Sequence, residues 1–189
     1  MKKKILRKIY RQKRLLLRNN EIRDKSIKIF ENLFNLALIT KGSVVHVFIP
    51  IKKLNEVDTW IFINYVWNSN LDLTIVTSSV NYENLQISYF KLTGFNILRE
   101  NKFGILEPVS GIQISPQDIN FIVVPMLICD KLGNRVGYGK GIYDRILAEC
   151  TNAKRVGINF FEPIDKVQGV TQFDVKLDYC VTPQKVYKF

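Results

Sequence analysis

The stretch from Phe121 to Leu147 constrains this chain more than any other. Phe121-Ile122-Val123-Val124 is an apolar, β-branched run that reads as a buried strand, and Pro125 ends it because proline has no N–H for the ladder. A long loop with four glycines (Gly133, Gly137, Gly139 and Gly141) follows. A helix is expected from about Ile142, with Ile142, Ile146 and Leu147 on one face and Asp144 in its first turn. A strand, a glycine loop and a helix N-terminus together suit phosphate: glycines let backbone N–H groups approach an oxyanion, and the helix end adds positive potential. Arg135 and Lys140 add cations at the loop edges, and Asp144 is placed to hold a metal ion against bound phosphates. The spacing Gly137-x-Gly139-x-Gly141 is neither a Walker A loop nor the dinucleotide fingerprint G-x-G-x-x-G. On glycine count alone, a sharp surface turn with two solvated cations explains the loop as well.

The chain has 189 residues, enough for one well-cored domain, and with 47% hydrophobic and 24% charged residues it has ordinary globular composition. No apolar run approaches the roughly 20 residues of a membrane span, and the basic N-terminus lacks the apolar core of an export signal. Cys129, Cys150 and Cys180 are odd in number and lack metal-ligand spacing, so reduced thiols in the cytoplasm are expected. The single histidine, His46, sits within Val44-Val45-His46-Val47-Phe48-Ile49 and reads as a structural strand residue, which leaves Ser-His-Asp and Cys-His mechanisms without support. Of the 28 Lys/Arg residues, twelve fall within residues 1–28 against two acids, Glu21 and Asp24. Basicity thus belongs to one segment, suited to nucleic acid, an anionic membrane or a polyanionic small ligand.

Residues 2–18 read as a basic amphipathic helix, with Ile5, Ile9 and Leu16 near one stripe and Leu6, Tyr10 and Leu17 beside it. Asn20 is the expected N-cap of a second helix running to about Ile39, which Gly42 would release. Val44–Ile49 reads as a strand covered on both faces, as in a parallel sheet. A loop through Ile51 and Glu56 then leads to a helix containing Trp60 and Ile63. Ligands of open α/β sheets bind at such strand ends, although Glu56 and Asp58 also simply suit a helix N-terminus. Further strands are expected at Leu71–Thr77, Ile87–Leu92, Arg155–Phe160 and, briefly, Val181-Thr182.

The run Asn134-Arg135-Val136-Gly137-Tyr138-Gly139-Lys140-Gly141-Ile142-Tyr143-Asp144-Arg145 resembles the loop of the 5-formyltetrahydrofolate cyclo-ligases, also called 5,10-methenyltetrahydrofolate synthetases. Ile142 stands where that family has the first tyrosine of Tyr-Tyr-Asp. Lys3-Lys4-Ile5-Leu6-Arg7 resembles the family's opening Lys-x-x-Leu-Arg, Glu56-Val57-Asp58-Thr59 its Glu-Val-Asp-Thr, and Gly104-Ile105-Leu106-Glu107-Pro108 its Gly-Ile-x-Glu-Pro. The tail from Phe173 and Asp174 to Thr182 resembles its closing motif, with Phe173 at a position that is often His.

The resemblance implies an α/β fold: a single three-layer domain over residues 1–189 with a mostly parallel sheet, similar to the ribose-phosphate isomerase and CoA-transferase folds. It implies ATP- and Mg2+-dependent closure of 5-formyltetrahydrofolate to 5,10-methenyltetrahydrofolate through a phosphorylated formyl group, with release of ADP and phosphate. Lys3, Lys4, Arg7, Arg135, Val136, Gly137, Tyr138, Gly139, Lys140, Gly141, Ile142 and Tyr143 would bind ATP. Asp144 and Asp174 would hold magnesium. Ile51, Glu56, Phe103, Tyr138 and Ile142 would border the folate, with Arg135, Lys140 and Glu56 as the catalytic set. The implied partners are the reduced formyl folate and ATP, with neither nucleic acid nor membrane expected. Two alternatives stay open. A degenerate relative that binds ATP or folate without turnover is favoured by Ile142, and a nucleic-acid-binding module by the basic first helix.

Overall fold

Hydrophobic periodicity sorts the chain into four helices and eleven strands in a computed structural model that describes all 189 residues. Helices α1 (Lys3–Leu15) and α2 (Asn19–Asn35) come first, then β1 (Val44–His46), α3 (Trp60–Asn68), β2 (Thr74–Val80) and β3 (Ile87–Lys91). A two-stranded ribbon, β4 (Leu98–Glu100) and β5 (Leu106–Pro108), precedes β6 (Phe121–Pro125). A short hairpin, β7 (Ile128–Cys129) and β8 (Arg135–Val136), then leads to α4 (Ile142–Glu149), β9 (Lys154–Ile158), β10 (Tyr179–Val181) and β11 (Val186–Lys188).

Seven strands form one sheet in the order β11-β10-β9-β6-β1-β2-β3. Its five inner strands run parallel, and only the two edge strands, β3 and β11, are antiparallel to their neighbours. The alternation in β6 shows why the sheet is covered twice. Phe121 and Val123 join one core with Val45 of β1 and with Ile29, Phe30, Phe62 and Ile63 from α2 and α3, whereas Ile122 and Val124 join another with Ile146 and Leu147 from α4. The chain therefore has the expected α/β architecture, a mostly parallel sheet with helices on both faces. After β1 the chain builds outward to β2 and β3, and from β6 it builds the other way. The strand order reverses between β1 and β6, and it is at such a point that the carboxyl ends of strands leave a crevice.

A third, smaller core joins Leu6 and Tyr10 of α1 to Leu127, Ile128, Val136 and Val167, docking α1 on the β7–β8 hairpin. Leu6 is completely enclosed there, worth roughly 1.5–3 kcal/mol on burial. The buried stripe of α1 is Leu6, Tyr10 and Arg14, whereas Ile5 and Leu16 face solvent. The expected stripe was thus turned about one residue around the helix, because the hairpin contacts it from one side only.

Other boundaries differ for local reasons. Glu21 accepts the Arg18 backbone N–H at 3.0 Å, so the cap of α2 is Arg18 rather than Asn20. The helix stops at Asn35, since Ala37 turns left-handed (φ 50°) well before Gly42. Strand β2 sits three residues later than expected because its pairing extends through Val80 with β3. β11 and the hairpin β7–β8 were not anticipated: their short runs show no clear period.

Candidate active site

The crevice at the β1–β6 reversal opens into a cavity of about 330 Å3. Its floor comes from strand ends, Phe48 and Ile49 after β1, Thr77 in β2 and Pro125 in β6. α1 and the glycine loop wall one end, and the β4–β5 ribbon walls the other.

At the glycine-loop end, the turn of the β7–β8 hairpin sets the aim. Buried Asp130 accepts the backbone N–H groups of Leu132, Asn134 and Val167, which fixes the turn and the direction in which Arg135 leaves it. Arg135 is buried, donates to Asp144 at 2.5 Å and bonds the Val175 carbonyl. Burial pulls the Arg135 pKa below the usual guanidinium range, and the Asp144 carboxylate works against it. Asp144 also accepts the Val175 N–H at 3.3 Å. Gly141 (φ 71°) turns the chain into α4, so the helix N-terminus faces the cavity.

Residues far away in sequence complete this end. Lys3 and Arg7, one helical turn apart on α1, both line the cavity. Lys3 donates to Asp174 at 2.5 Å, and Arg7 donates through Nε to the Gly137 carbonyl at 3.0 Å. Gly139 has φ 97°, a backbone conformation that favours glycine, and a Cβ there would stand 3.1 Å from the Arg7 guanidinium carbon, so Arg7 would have to shift slightly. Burial tends to raise the Asp174 carboxyl, but the bonds from Lys3 and Thr171 outweigh it and hold the group below its ordinary range. Such an arrangement of cations, backbone N–H groups and two carboxylates can neutralise a polyphosphate. No cluster of three His, Cys, Asp or Glu side chains suits a metal on its own. A divalent ion here would have Asp144 and Asp174 and would take further oxygens from phosphates and water, as magnesium commonly does.

The other end is less charged. Glu56 is buried, with Oε2 accepting the Ile51 N–H at 2.7 Å and Oε1 accepting the Tyr138 hydroxyl. Burial pushes the Glu56 carboxyl up, while Arg14, the Ile51 N–H and the Tyr138 hydroxyl push it down. Phe103 packs edge-on against Tyr82, ring centroids 4.7 Å apart, and Tyr82 bonds Glu107 at 3.4 Å. Lys140 leaves the glycine loop and rests over these rings, its amine 2.8 Å from the Phe103 centroid and 5.4 Å from that of Tyr82. Burial and then neighbouring Lys102 lower its pKa.

Of the residues singled out from the sequence, Lys3, Arg7, Ile51, Glu56, Phe103, Arg135, Asp144 and Asp174 line this cavity, together with Gly137 through Tyr143. Two do not. Lys4 lies one residue around α1 and faces solvent, and Val136 alternates with Arg135 along β8, so its side chain fills the α1 core. Lys140 lines the cavity with its amine on the rings of Phe103 and Tyr82. Sequence reasoning missed Arg14, Tyr82 and Glu107. Arg14 follows Arg7 by two helical turns and could have been found by that spacing, and Glu107 by the turn motif it belongs to; Tyr82, in the turn after β2, carries no comparable signal. His46 is enclosed between Tyr89 and Tyr143 with neither ring nitrogen hydrogen-bonded, and burial lowers its pKa to about 4. A structural strand histidine was expected there.

A profile of the 5-formyltetrahydrofolate cyclo-ligase family matches residues 1–183. The 5-formyltetrahydrofolate cyclo-ligase of Haemophilus influenzae is 27% identical over 119 residues, covering 61% of this chain and 62% of that protein. The enzyme of that name from Mus musculus is 31% identical over 120 residues, 60% of this chain and 55% of that protein. The aligned part of the chain thus spans about three fifths of the length of these relatives. Among solved structures, the 5,10-methenyltetrahydrofolate synthetase of Aquifex aeolicus superposes with a TM-score of 0.81 at 31% identity, covering 100% of this chain and 93% of that one. The synthetase of Mycoplasma pneumoniae shares the fold, with a TM-score of 0.73 at 24% identity, covering 97% of this chain and 99% of that one.

Proposed function

Because the chain belongs to the 5-formyltetrahydrofolate cyclo-ligase family, we propose that it closes 5-formyltetrahydrofolate to 5,10-methenyltetrahydrofolate using ATP. The observation that carries this reading is a single cavity with a phosphate-type end, built from Lys3, Arg7 and the glycine loop, and a ring-type end, built from Glu56, Phe103 and Tyr138. A reaction between a nucleotide and a folate needs both ligands in one cleft, and their reacting atoms must meet between the two ends.

The chemical obstacle is a formamide oxygen that leaves poorly. Transfer of the γ-phosphoryl group to that oxygen makes an iminium phosphate. The second folate nitrogen then attacks the activated carbon, the ring closes, and phosphate departs with the former formyl oxygen. The protein contributes position and charge. Lys3, Arg7, Arg135 and the backbone N–H groups of Gly139 and Gly141 cradle the triphosphate. Lys140, on a loop hinged by two positive-φ glycines, swings from Phe103 to the phosphates when they arrive. Asp144 and Asp174 are the residues that would hold magnesium, which would supply charge neutralisation. Glu56 accepts hydrogen bonds from the folate, Phe103 flanks its flat ring system, and Ile51 and Ile142 pack nearby. We place the activity in a reducing, cytoplasmic setting, where the three buried thiols Cys129, Cys150 and Cys180 remain free.

The experiment is to follow the absorbance of methenyltetrahydrofolate with purified protein, 5-formyltetrahydrofolate, ATP and magnesium. Product must form only with all components present. Binding of both ligands without product would instead support the degenerate relative, with Ile142 as the first position to restore to tyrosine.

A further inference from the structure

Arg14 is 3% exposed, sits beside the ring end of the cleft and makes no direct ion pair. Its guanidinium bonds the Tyr138 hydroxyl oxygen, reaches the Met126 carbonyl at 3.5 Å and lies 5.4 Å from the Tyr138 ring centroid. A buried cation without a paired carboxylate is costly, so its retention asks for a task. We infer that Arg14 is a positioning residue for the ring end of the site: by donating to the Tyr138 oxygen it turns the tyrosine's own proton onto Glu56 and holds Glu56 as an acceptor facing the cleft.

The direction of the protons follows from the donor inventory. A guanidinium only donates, so the Tyr138 oxygen must accept from Arg14, and its single O–H is left to point at Glu56 Oε1. Oε2 faces the Ile51 backbone N–H, which also only donates. Both carboxylate oxygens therefore meet donors, and a protonated Glu56 would have no acceptor for its own proton among these partners. The remaining lone pairs face the cavity, where they select ligand N–H donors over acceptors. Without Arg14 the Tyr138 hydroxyl is free to rotate and accept, and a protonated Glu56 becomes compatible with the site.

Local structure keeps this chain of donors in register. The Asn55 amide donates to the carbonyls of Arg14 (3.3 Å), Leu15 (3.4 Å) and Leu17 (3.1 Å), tying the end of α1 to the residue preceding Glu56. The ionisable groups that face Glu56 are Arg14 from α1, Tyr138 from the glycine loop and Tyr143 from the start of α4. Burial drives the carboxyl toward the neutral form, and the Arg14 charge works against it more than any other neighbour. The inference rests on the proposed assignment of Glu56 to the folate only for its consequence, not for the proton geometry.

The test is a titration of the Glu56 side-chain carboxyl by carbon-13 NMR in the ligand-free protein, with Glu56→Gln identifying the signal. In Arg14→Met the midpoint should rise by about 1–3 units, the usual effect of removing a nearby opposite charge. Tyr138→Phe, at a partly exposed ring whose loss of a hydroxyl spares the fold, should raise it as well. An unchanged midpoint in either variant overturns the inference. So does an Arg14→Met protein that merely melts at lower temperature, since a packing role would leave the carboxyl where it was. The same proteins are then offered 5-formyltetrahydrofolate across the pH range. Affinity should fall as Glu56 protonates. A shifted midpoint with affinity that ignores it supports Arg14 as the positioning residue and removes Glu56 from the folate site.

Discussion

At the glycine-loop end of the cleft, Lys3, Arg7, Arg135, Asp144 and Asp174 are each tied to an opposite charge or to backbone. At the β4–β5 end, the walls include Phe103, on the turn of a two-stranded ribbon outside the main sheet, and Tyr82 after β2, and the nearby Phe95 and Ile97 stand 96% and 68% exposed. The first end is preorganised: its charges hold position before any ligand arrives, and on the proposed reading little reorganisation would accompany charge developing on a transferring phosphoryl group. The second offers area and face rather than fixed charge, which suits a flat ring whose orientation is settled by a few acceptors such as Glu56. The contrast teaches that one cavity can offer two unlike kinds of wall, which the proposed function assigns to two unlike ligands. Lys140 lies between them, rooted in the charged loop with its amine on the rings.

The contrast is most exposed to test at Asp144. Asp144→Asn removes the partner of buried Arg135 and one of the two carboxylates of the charged end. Turnover should fall by about 10²–10³, as for other preorganised electrostatic groups, with a lesser loss of stability because Asp144 is partly exposed. Steady-state turnover beside a denaturant melt checks it. A variant retaining full turnover would mean the charged end is structural only.

The strand packed behind Tyr143 makes the next prediction. His46 packs edge-on to Tyr143, with a folded pKa of about 4 against an ordinary 6.5. The unfolded chain therefore binds more protons between these values, and stability must fall as pH drops from about 6.5 to about 4. The full effect is up to roughly 3 kcal/mol. His46→Leu should flatten that part of the pH profile in urea melts, and since His46 is the single histidine, no other imidazole contributes. A slope unchanged by the substitution would assign it to carboxylates instead.

Arg7→Ala should weaken ATP binding by about ten- to a hundredfold, the loss of a charge-assisted contact worth roughly 1.5–3 kcal/mol, while leaving folate affinity nearly unchanged. Calorimetry with each ligand separately reads the difference. Phe103→Ala should do the converse at smaller scale, raising the KM for the folate by about tenfold with little change for ATP. Because Phe103 is 37% exposed, its removal should barely move the melting temperature. If each substitution weakened both ligands alike, the two ends would not be separate walls.

The charged end was largely legible in the sequence, since its loop residues are nearly contiguous from Arg135 to Asp144 and its glycines mark where the backbone must approach something. Lys3 and Arg7 were reachable by helical spacing together with the motif they resemble. The ring end was only half legible. Phe103 and Glu56 were found through the same resemblance, but Tyr82 comes from the turn between β2 and β3, and Glu107 was read only as part of a turn motif and not as a site residue. Lys4 and Val136 were carried along by neighbours, and one step of strand or helix geometry turned their side chains away from the cleft.

What the amino-acid order settled alone was local: an apolar run ended by proline, glycines where φ must be positive, and periods that make β6 two-faced and α4 amphipathic. Those features depend on neighbours a few residues away, and steric and hydrophobic rules read them directly. What only the tertiary structure decided was which distant groups share a space. The docking of α1 on the β7–β8 hairpin brings Arg14 to Tyr138 across 124 positions of sequence, and Tyr138 to Glu56 across 82. No local period encodes such meetings, because they follow from how three separately buried faces close on one another.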